Sequence, residues 1–377
     1  MMESIFRIRI RLTAALIVMQ LCVWPVSADD GVDILFDLPN GFTATVLVNG
    51  VANARSLALG KKGTLFVSTR RLGKLYAVTH AFSGSPQVIT IATDLDMPNG
   101  IAFSGGALYV AEAQRIVRYR DIESRLEDPG KPEVVADKLP YKNKMHAWKY
   151  IGFGPDHKLY VSIGAPCNAC EAPELSVILR MNADGSGREV FARGVRNSVG
   201  FDWHPKTGEF WFTDNGRDML GDDIPPGELN RAHRPGLDFG FPYCHGADIA
   251  DPKLGTVGRC VDAVHPSQPL VAHVAPLGMR FYTGSMFPED FQHQVFIAEH
   301  GSWNRSKSAG KTGYRVSLVR LNGNESVSYE PFMEGFLNDE QKVLGRPVDL
   351  LVAPDGALLI SDDQRGVIYK VTYGDDE

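Results

Sequence analysis

Short apolar runs recur along the chain, each broken by a turn containing glycine or aspartate and then resumed as a β-rich run. Six segments follow this plan: SLALGKKGTLFVSTR with GKLYAVT (56–79), GIAFSGGALYVAEA with RIVRYR (100–120), YIGFGPDHKLYVSIG with VILRMN (150–182), VGFDWHPKTGEFWFTDN with ELNRA (199–232), MRFYTG…QVFIAEHG with YRVSLVRL (279–321), and VDLLVAPDGALLISDD with GVIYKVTY (348–373). Regular β repeats of roughly 40–50 residues predict a propeller, one blade of four short strands per repeat. The expected fold is therefore all-β, a six-bladed β-propeller with four-stranded antiparallel blades. Stretches holding helical periodicity without an interrupting glycine or proline are few. The early run GFTATVLVNG (41–50) is placed to pair with the last blade and close the ring, which removes exposed sheet edges. Between the fourth and fifth repeats, an insertion from about Arg234 to Pro276 is rich in Gly, Pro and His. Loops of this kind on a propeller's upper face shape a pocket.

Of 377 residues, 44% are hydrophobic, enough for one large core. A net charge of -6 offers no basic stripe, so nucleic acid is not an expected partner. The 38 glycines and 23 prolines are spread out, as many tight turns require. The first residues read as a secretory signal, 1–28: Arg7, Arg9 and Arg11 precede an apolar run from Leu12 to Trp24, with Ser27 and Ala28 at the cut. The remainder, 29–377, is expected to be one propeller, exported to the periplasm or secreted, with no membrane span after cleavage. Four cysteines then remain, Cys167, Cys170, Cys244 and Cys260. An even number in an exported chain argues for disulfides, and sequential pairing is preferred among the three arrangements possible. The Cys-x-x-Cys step also admits a redox or half-zinc reading, but no second such step is present.

Candidate chemistry gathers around a hairpin from Arg193 to Asn230, where VGFDWH and EFWFTD flank the turn HPKTG. Arg196 and Asn197 precede it; Asp214 to Arg217, then Asp222 and Asp223, follow it. A hairpin brings its ends together, so a cation and an amide meet carbonyl-rich and acidic residues, which suits an anionic ligand held with a hard metal ion. In a propeller, residues at matching repeat positions meet around the axis. Those positions supply Arg55, Asn99, His146, Arg196 with Asn197, His300 and Arg346. Histidine at position 146 is suited to general-base work near neutral pH.

The set H-x-W-x-x-I-x-F-G-P-D-x-K-L-Y, R-N-S-V-G-F-x-x-H-P, T-D-N-G-R-D-x-x-G-D-D-x-P-P-x-E-L-N and H-G-S-W-N-R resembles the quinoprotein sugar dehydrogenases, especially their sorbosone and pyranose branch. The resemblance spans nearly the whole mature sequence and implies pyrroloquinoline quinone (PQQ) with Ca²⁺. It makes His146 the catalytic base, Arg196 and Asn197 cofactor contacts, and Arg346 the first arginine of an R-x-R-D segment whose second is Val348. Val199 replaces a family glutamine. For a fifth-blade lysine with no match, His300, Asn304 and Arg305 are the candidates, and Arg55 is a further one for the cofactor face. Gly216 and Arg217 occupy the step whose carbonyls would bind calcium, with Asp222 and Asp223 either reinforcing it or capping the next loop. The implied substrate is a small sugar or aldehyde. With no haem motif in the chain, electrons would leave to a separate cytochrome, quinone or dye. Two rivals stay open: a calcium-dependent lactonase drawing on Asn99, Asp214 and Glu299, and a binding propeller without chemistry.

Overall fold

In a computed structural model of the chain, residues 34–255 and 257–374 are described, and they are almost wholly β. The six repeats form six antiparallel sheets in chain order. Their first strands, Leu57–Leu59, Gly100–Ser104, Ile151–Phe153, Gly200–Trp203, Pro276–Phe281 and Pro347–Val352, line the axis, and that of blade one packs against those of blades two and six. The ring closes as the sequence predicts: Phe42–Val48 pairs antiparallel with Val367–Tyr373 as the outer strand of blade six. Phe42 fastens the closure, its ring 4.8–5.1 Å from those of Phe287, Phe291, Phe332 and Tyr373. Each such edge-on pair contributes about 0.5–1.5 kcal/mol beyond burial. The signal-segment expectation lies outside the described residues. Among the described residues, no helix is long and apolar enough to cross a membrane.

Blades pack face to face through alternating apolar residues, as between blades three and four, where Tyr160, Phe191, Phe201, Phe210 and Phe212 share one buried cluster. A hydroxyl on the second strand then ties several blades to the next. Ser68 Oγ donates to Asn99 O (2.5 Å), Thr213 Oγ1 to Leu277 O (2.6 Å) and Ser361 Oγ to Arg55 O (2.6 Å). Crowding at the axis explains a glycine: a Cβ on Gly200 would stand 2.1 Å from Leu277 O. Thr213→Val keeps the shape but leaves buried carbonyls without their donor. It is expected to cost about 1–3 kcal/mol, read as a lower urea midpoint; an unchanged midpoint would show that the tie contributes nothing.

Two details differ from the sequence reading. The span from Arg234 to Pro276 is not all insertion, because Gln268–Ala272 is the outer strand of blade four. Before it, Leu237–Asp238 adds a short parallel strand to blade three, and a small hairpin and the helix Val257–Asp262 follow. The repeat pattern hid this strand because proline and glycine break the segment up. The disulfides are Cys167–Cys170 and Cys244–Cys260, the preferred pairing.

Candidate active site

Loops at the starts of the inner strands surround a cavity of about 180 Å³ on the axis, lined by Arg55, Arg70, His146, Arg196, Asn197, Gly216, His300 and others. The opposite mouth of the axis is larger, about 470 Å³, but mainly apolar inner-strand residues line it, with Arg280 pinned between Tyr150 and Asp202. The first gathers most of the candidate residues that the sequence singles out.

Register defines what lies beneath it. Two residues before Leu57, Ile101, Ile151, Phe201, Met279 and Leu350, which are equivalent by pairing, stand Arg55, Asn99, Lys149, Val199, Leu277 and Val348. This ring is polar on blades one to three and apolar on four to six, where Val199, Leu277 and Val348 cluster against Trp148. Val199 and Val348, departures from the family pattern, thus build an apolar half-floor. Burial draws the Lys149 ammonium down to about 8.

His146 sits at a positive φ of 47° and donates from Nδ1 to Ala165 O at 2.9 Å. A carbonyl only accepts, so Nδ1 carries the proton and Nε2 keeps its lone pair. Burial, then the Arg196 charge, pulls its pKa from 6.5 to about 3, so the ring is neutral at pH 7. Gly164 permits this placement: its Cβ would stand 2.6 Å from His146 Cβ and 2.7 Å from His146 O. Gly164→Ala is therefore expected to lower activity by at least about tenfold through displaced geometry and to cost about 1–3 kcal/mol of stability through the clash. Wild-type turnover in that variant would show that the histidine's position is not critical.

Arg196 is 4% exposed and fully committed. Nε donates to Asn168 O (2.9 Å), Nη1 to Asn215 O (3.1 Å) and Gly216 O (2.9 Å), and Nη2 to Asn168 Oδ1 (3.0 Å) and Asp218 Oδ2 (3.2 Å). All five guanidinium donors have protein acceptors. The backbone N–H groups of Arg196 and Asn197 both bind the Asp214 carboxylate, at 2.7 and 2.6 Å. Burial nevertheless holds that carboxyl up at about 6, against those N–H groups and the Arg196 charge.

His146 and His300 take opposite tautomers. His300 Nε2 donates to Asp363 Oδ1 (2.9 Å), while its Nδ1 accepts from Arg346 Nη1 (3.3 Å). Asp363 also receives Arg55 Nη1 at 3.0 Å. Burial alone would raise the Asp363 pKa, but His300 and Arg55 outweigh it and hold it well below the carboxylate range.

Other predicted residues fall outside this cup. Asn99 is fully buried, accepting from Arg55 Nε (2.9 Å) and donating to Lys149 O (3.0 Å). The Arg217 side chain turns to Asp251, which also binds His245, and so ties the loop to the segment carrying the second disulfide. Asp222 and Asp223 cap the neighbouring loop through Ser306 and Arg305. Arg305 and Arg346 line an adjoining cavity of about 480 Å³, which shares Trp303 with the cup.

Sequence reasoning missed two residues and gave a third another role. Arg70, in the doublet ending the first repeat's STRR, stacks on Trp148 at 4.3 Å and has no acceptor for its guanidinium among the described residues. Burial and the nearby Arg55 lower it to about 10. Asn168, between the paired cysteines, positions Arg196 and binds the Asp218 backbone in both directions, at 2.8 and 2.9 Å. Asn304, weighed only as a lysine substitute, donates to Asp218 Oδ1 (2.7 Å), and its buried Oδ1 has no partner among the described residues.

The architecture and site define a class: a six-bladed propeller whose axial cup combines guanidinium groups, oxygen donors and a histidine with a free ring nitrogen. The chain belongs to the glucose/sorbosone dehydrogenase family, whose model matches residues 108–370. An uncharacterised protein of Borreliella burgdorferi is 35% identical over 354 residues, covering 89% of this chain and 90% of that protein. The calcium structure of a Trichoderma reesei family AA12 carbohydrate-active enzyme is similar with TM-score 0.78 at 20% identity, over 92% of this chain and 100% of that one. The holo PQQ domain of Coprinopsis cinerea pyranose dehydrogenase gives 0.74 at 18% identity, over 90% and 97%. The family and the fold support a sugar oxidoreductase.

Proposed function

We propose that the protein oxidises an aldose, pyranose or sorbosone-like sugar with PQQ and Ca²⁺, and that His146 is the general base. The observation that carries this is the fixed tautomer of His146, which leaves an unprotonated nitrogen on a residue lining the cup. The remaining residues fit the cofactor. Arg70 has free donors for a carboxylate, and Arg55 and Asn197 stand in the same cup. The unpartnered Asn304 Oδ1, the Asp218 carboxylate and the Asn215 and Gly216 carbonyls form an oxygen-rich side suited to a hard cation. Arg196 contributes by clamping those carbonyls in place.

When bound, the quinone supplies the hydride acceptor and the metal polarises it. His146 Nε2 takes the hydroxyl proton as the C–H bond beside it breaks, and Ala165 O holds the ring in register. Trp148 and Trp303 border the cup. Electrons would then pass to an external cytochrome, quinone or dye, outside the cytoplasm as the signal-like leader implies.

The lactonase reading needs Asn99, Asp214 and Glu299 to converge on a cation. Each is engaged elsewhere: Asn99 with Arg55, Asp214 with backbone N–H groups, and Glu299 with Arg315 (2.8 Å) and Tyr329.

Apo-protein mixed with PQQ and Ca²⁺ should take up a stoichiometric chromophore that is reduced on adding one sugar of an aldose and sorbosone panel. Lactone hydrolysis without cofactor uptake would replace this reading with its rival.

A further inference from the structure

The cavity beside the cup has a different electrostatic character. Its lining includes Arg305, Lys307, Lys311 and Arg346 and no acidic residue, within a chain of net charge -6. In the cup, Arg55 and Arg196 already face Asp363 and Asp218, at 3.0 and 3.2 Å. In the second cavity, Lys307, Lys311 and Arg346 have no carboxylate partner among the described residues. Arg305 meets Asp223, which is 88% exposed, and lies near Asp222, which binds Ser306 at the cavity's edge; its buried Nε has no partner among the described residues. Arg346 is nevertheless held in place, donating to Tyr314 Oη (3.1 Å) and to His300 Nδ1. Lys311 joins the two loops of the cavity, its backbone N–H reaching Gln341 Oε1 at 2.6 Å. These cations are held by neutral acceptors, the Lys311 ammonium by Gln341 O and Arg346 by Tyr314, so their positive charge is not cancelled by a carboxylate and suits an anion.

Trp303 says what kind of ligand. It is 70% exposed and borders both cavities, so one face of a molecule lying across it reaches the cup while its far end enters the cationic space. An indole suits the apolar face of a sugar ring. We propose that this cavity is a subsite for an anionic group on the sugar substrate, making the preferred substrate a sugar acid or sugar phosphate. The inference rests on the dehydrogenase reading for the reaction, but the binding does not depend on it.

The test is calorimetric titration of apo-protein with D-glucuronate, glucose 6-phosphate and glucose, at low and raised salt. The probes separate carboxylate from phosphate recognition. Either anion should bind at least about tenfold more tightly than glucose, weakening with salt. The double variant Lys307→Gln/Lys311→Gln should lose about tenfold of that preference, and Arg305→Gln, nearer the buried end, at least as much. After cofactor loading, the ratio of kcat/KM for the charged to the neutral sugar should fall in parallel. Equal affinity for charged and neutral sugars, or an unchanged preference in both variants, overturns the subsite. Loss of PQQ uptake in the lysine variant also overturns it, assigning the cavity to the cofactor. Wild type that binds glucuronate but never PQQ would keep the subsite and sink the dehydrogenase reading instead.

Discussion

His146→Ala is expected to reduce kcat by about 10²–10⁴-fold while cofactor uptake stays near the wild-type level. Among the described residues the ring's one hydrogen bond is to Ala165 O and it makes no ion pair, so its removal takes away the proton acceptor and little of the cup. Steady-state turnover with a dye acceptor and absorbance titration of PQQ read the two effects separately. Normal turnover would end the base assignment; loss of both would make the histidine a cofactor contact. The pH dependence adds a second reading. With a pKa near 3, the ring is unprotonated throughout the neutral range, so this group imposes no acid limb on kcat/KM between pH 5 and 8. For stability the sign is opposite. The unfolded histidine binds its proton below about 6.5 while the folded one does not, so stability contributed by this site is present above pH 6.5 and is lost as pH falls toward 3. The His146→Ala variant should therefore show a shallower fall in melting temperature on acidification than wild type.

The ring of blades was legible because period-two alternation and Gly/Asp turns are local signals that repeat. Closure by segment 41–50 could be read for the same reason: a sheet edge must be covered. The cup was legible only in part. Repeat position places Arg55, His146, Arg196, Asn197 and His300 around one cavity, but does not say which of their donors are spent. Arg196 looks like a ligand contact from its neighbours in sequence, yet the acceptors that consume its fork come from Asn168 and the 215–218 loop, far along the chain. Arg70 escaped notice for the reverse reason, since it follows the second strand of its blade rather than preceding the first. Arg305 and Arg346 sit at expected levels but turn to a side cavity that exists only because the loop from Ser302 to Tyr314 folds back toward Gln341.

That distinction between spent and free donors yields the sharpest contrast, between Arg196→Ala and Arg70→Ala. Removing Arg196 deletes five part-buried hydrogen bonds and leaves the Asp218 carboxylate and the Asn215 and Gly216 carbonyls without their cation, which is expected to cost about 3 kcal/mol. Cofactor and metal binding should fail with it, because the loop that presents those oxygens loses its clamp. Arg70→Ala removes a guanidinium with no protein acceptor, so stability should change by less than about 1 kcal/mol. Its cofactor affinity should drop by roughly 10–100-fold, the worth of a charge-assisted contact. The acid response separates the causes further. Arg196 lowers the Asp214 and His146 pKa values, so its loss raises both, and the folded variant binds more protons than wild type as pH falls. By linkage the stability deficit of Arg196→Ala should therefore narrow from pH 7 toward pH 5, whereas Arg70→Ala should track wild type. Denaturant melts at the two pH values decide it: a deficit that stays constant, or an Arg196→Ala protein as stable as wild type, would mean that the fork is a ligand contact and not the clamp of the cup.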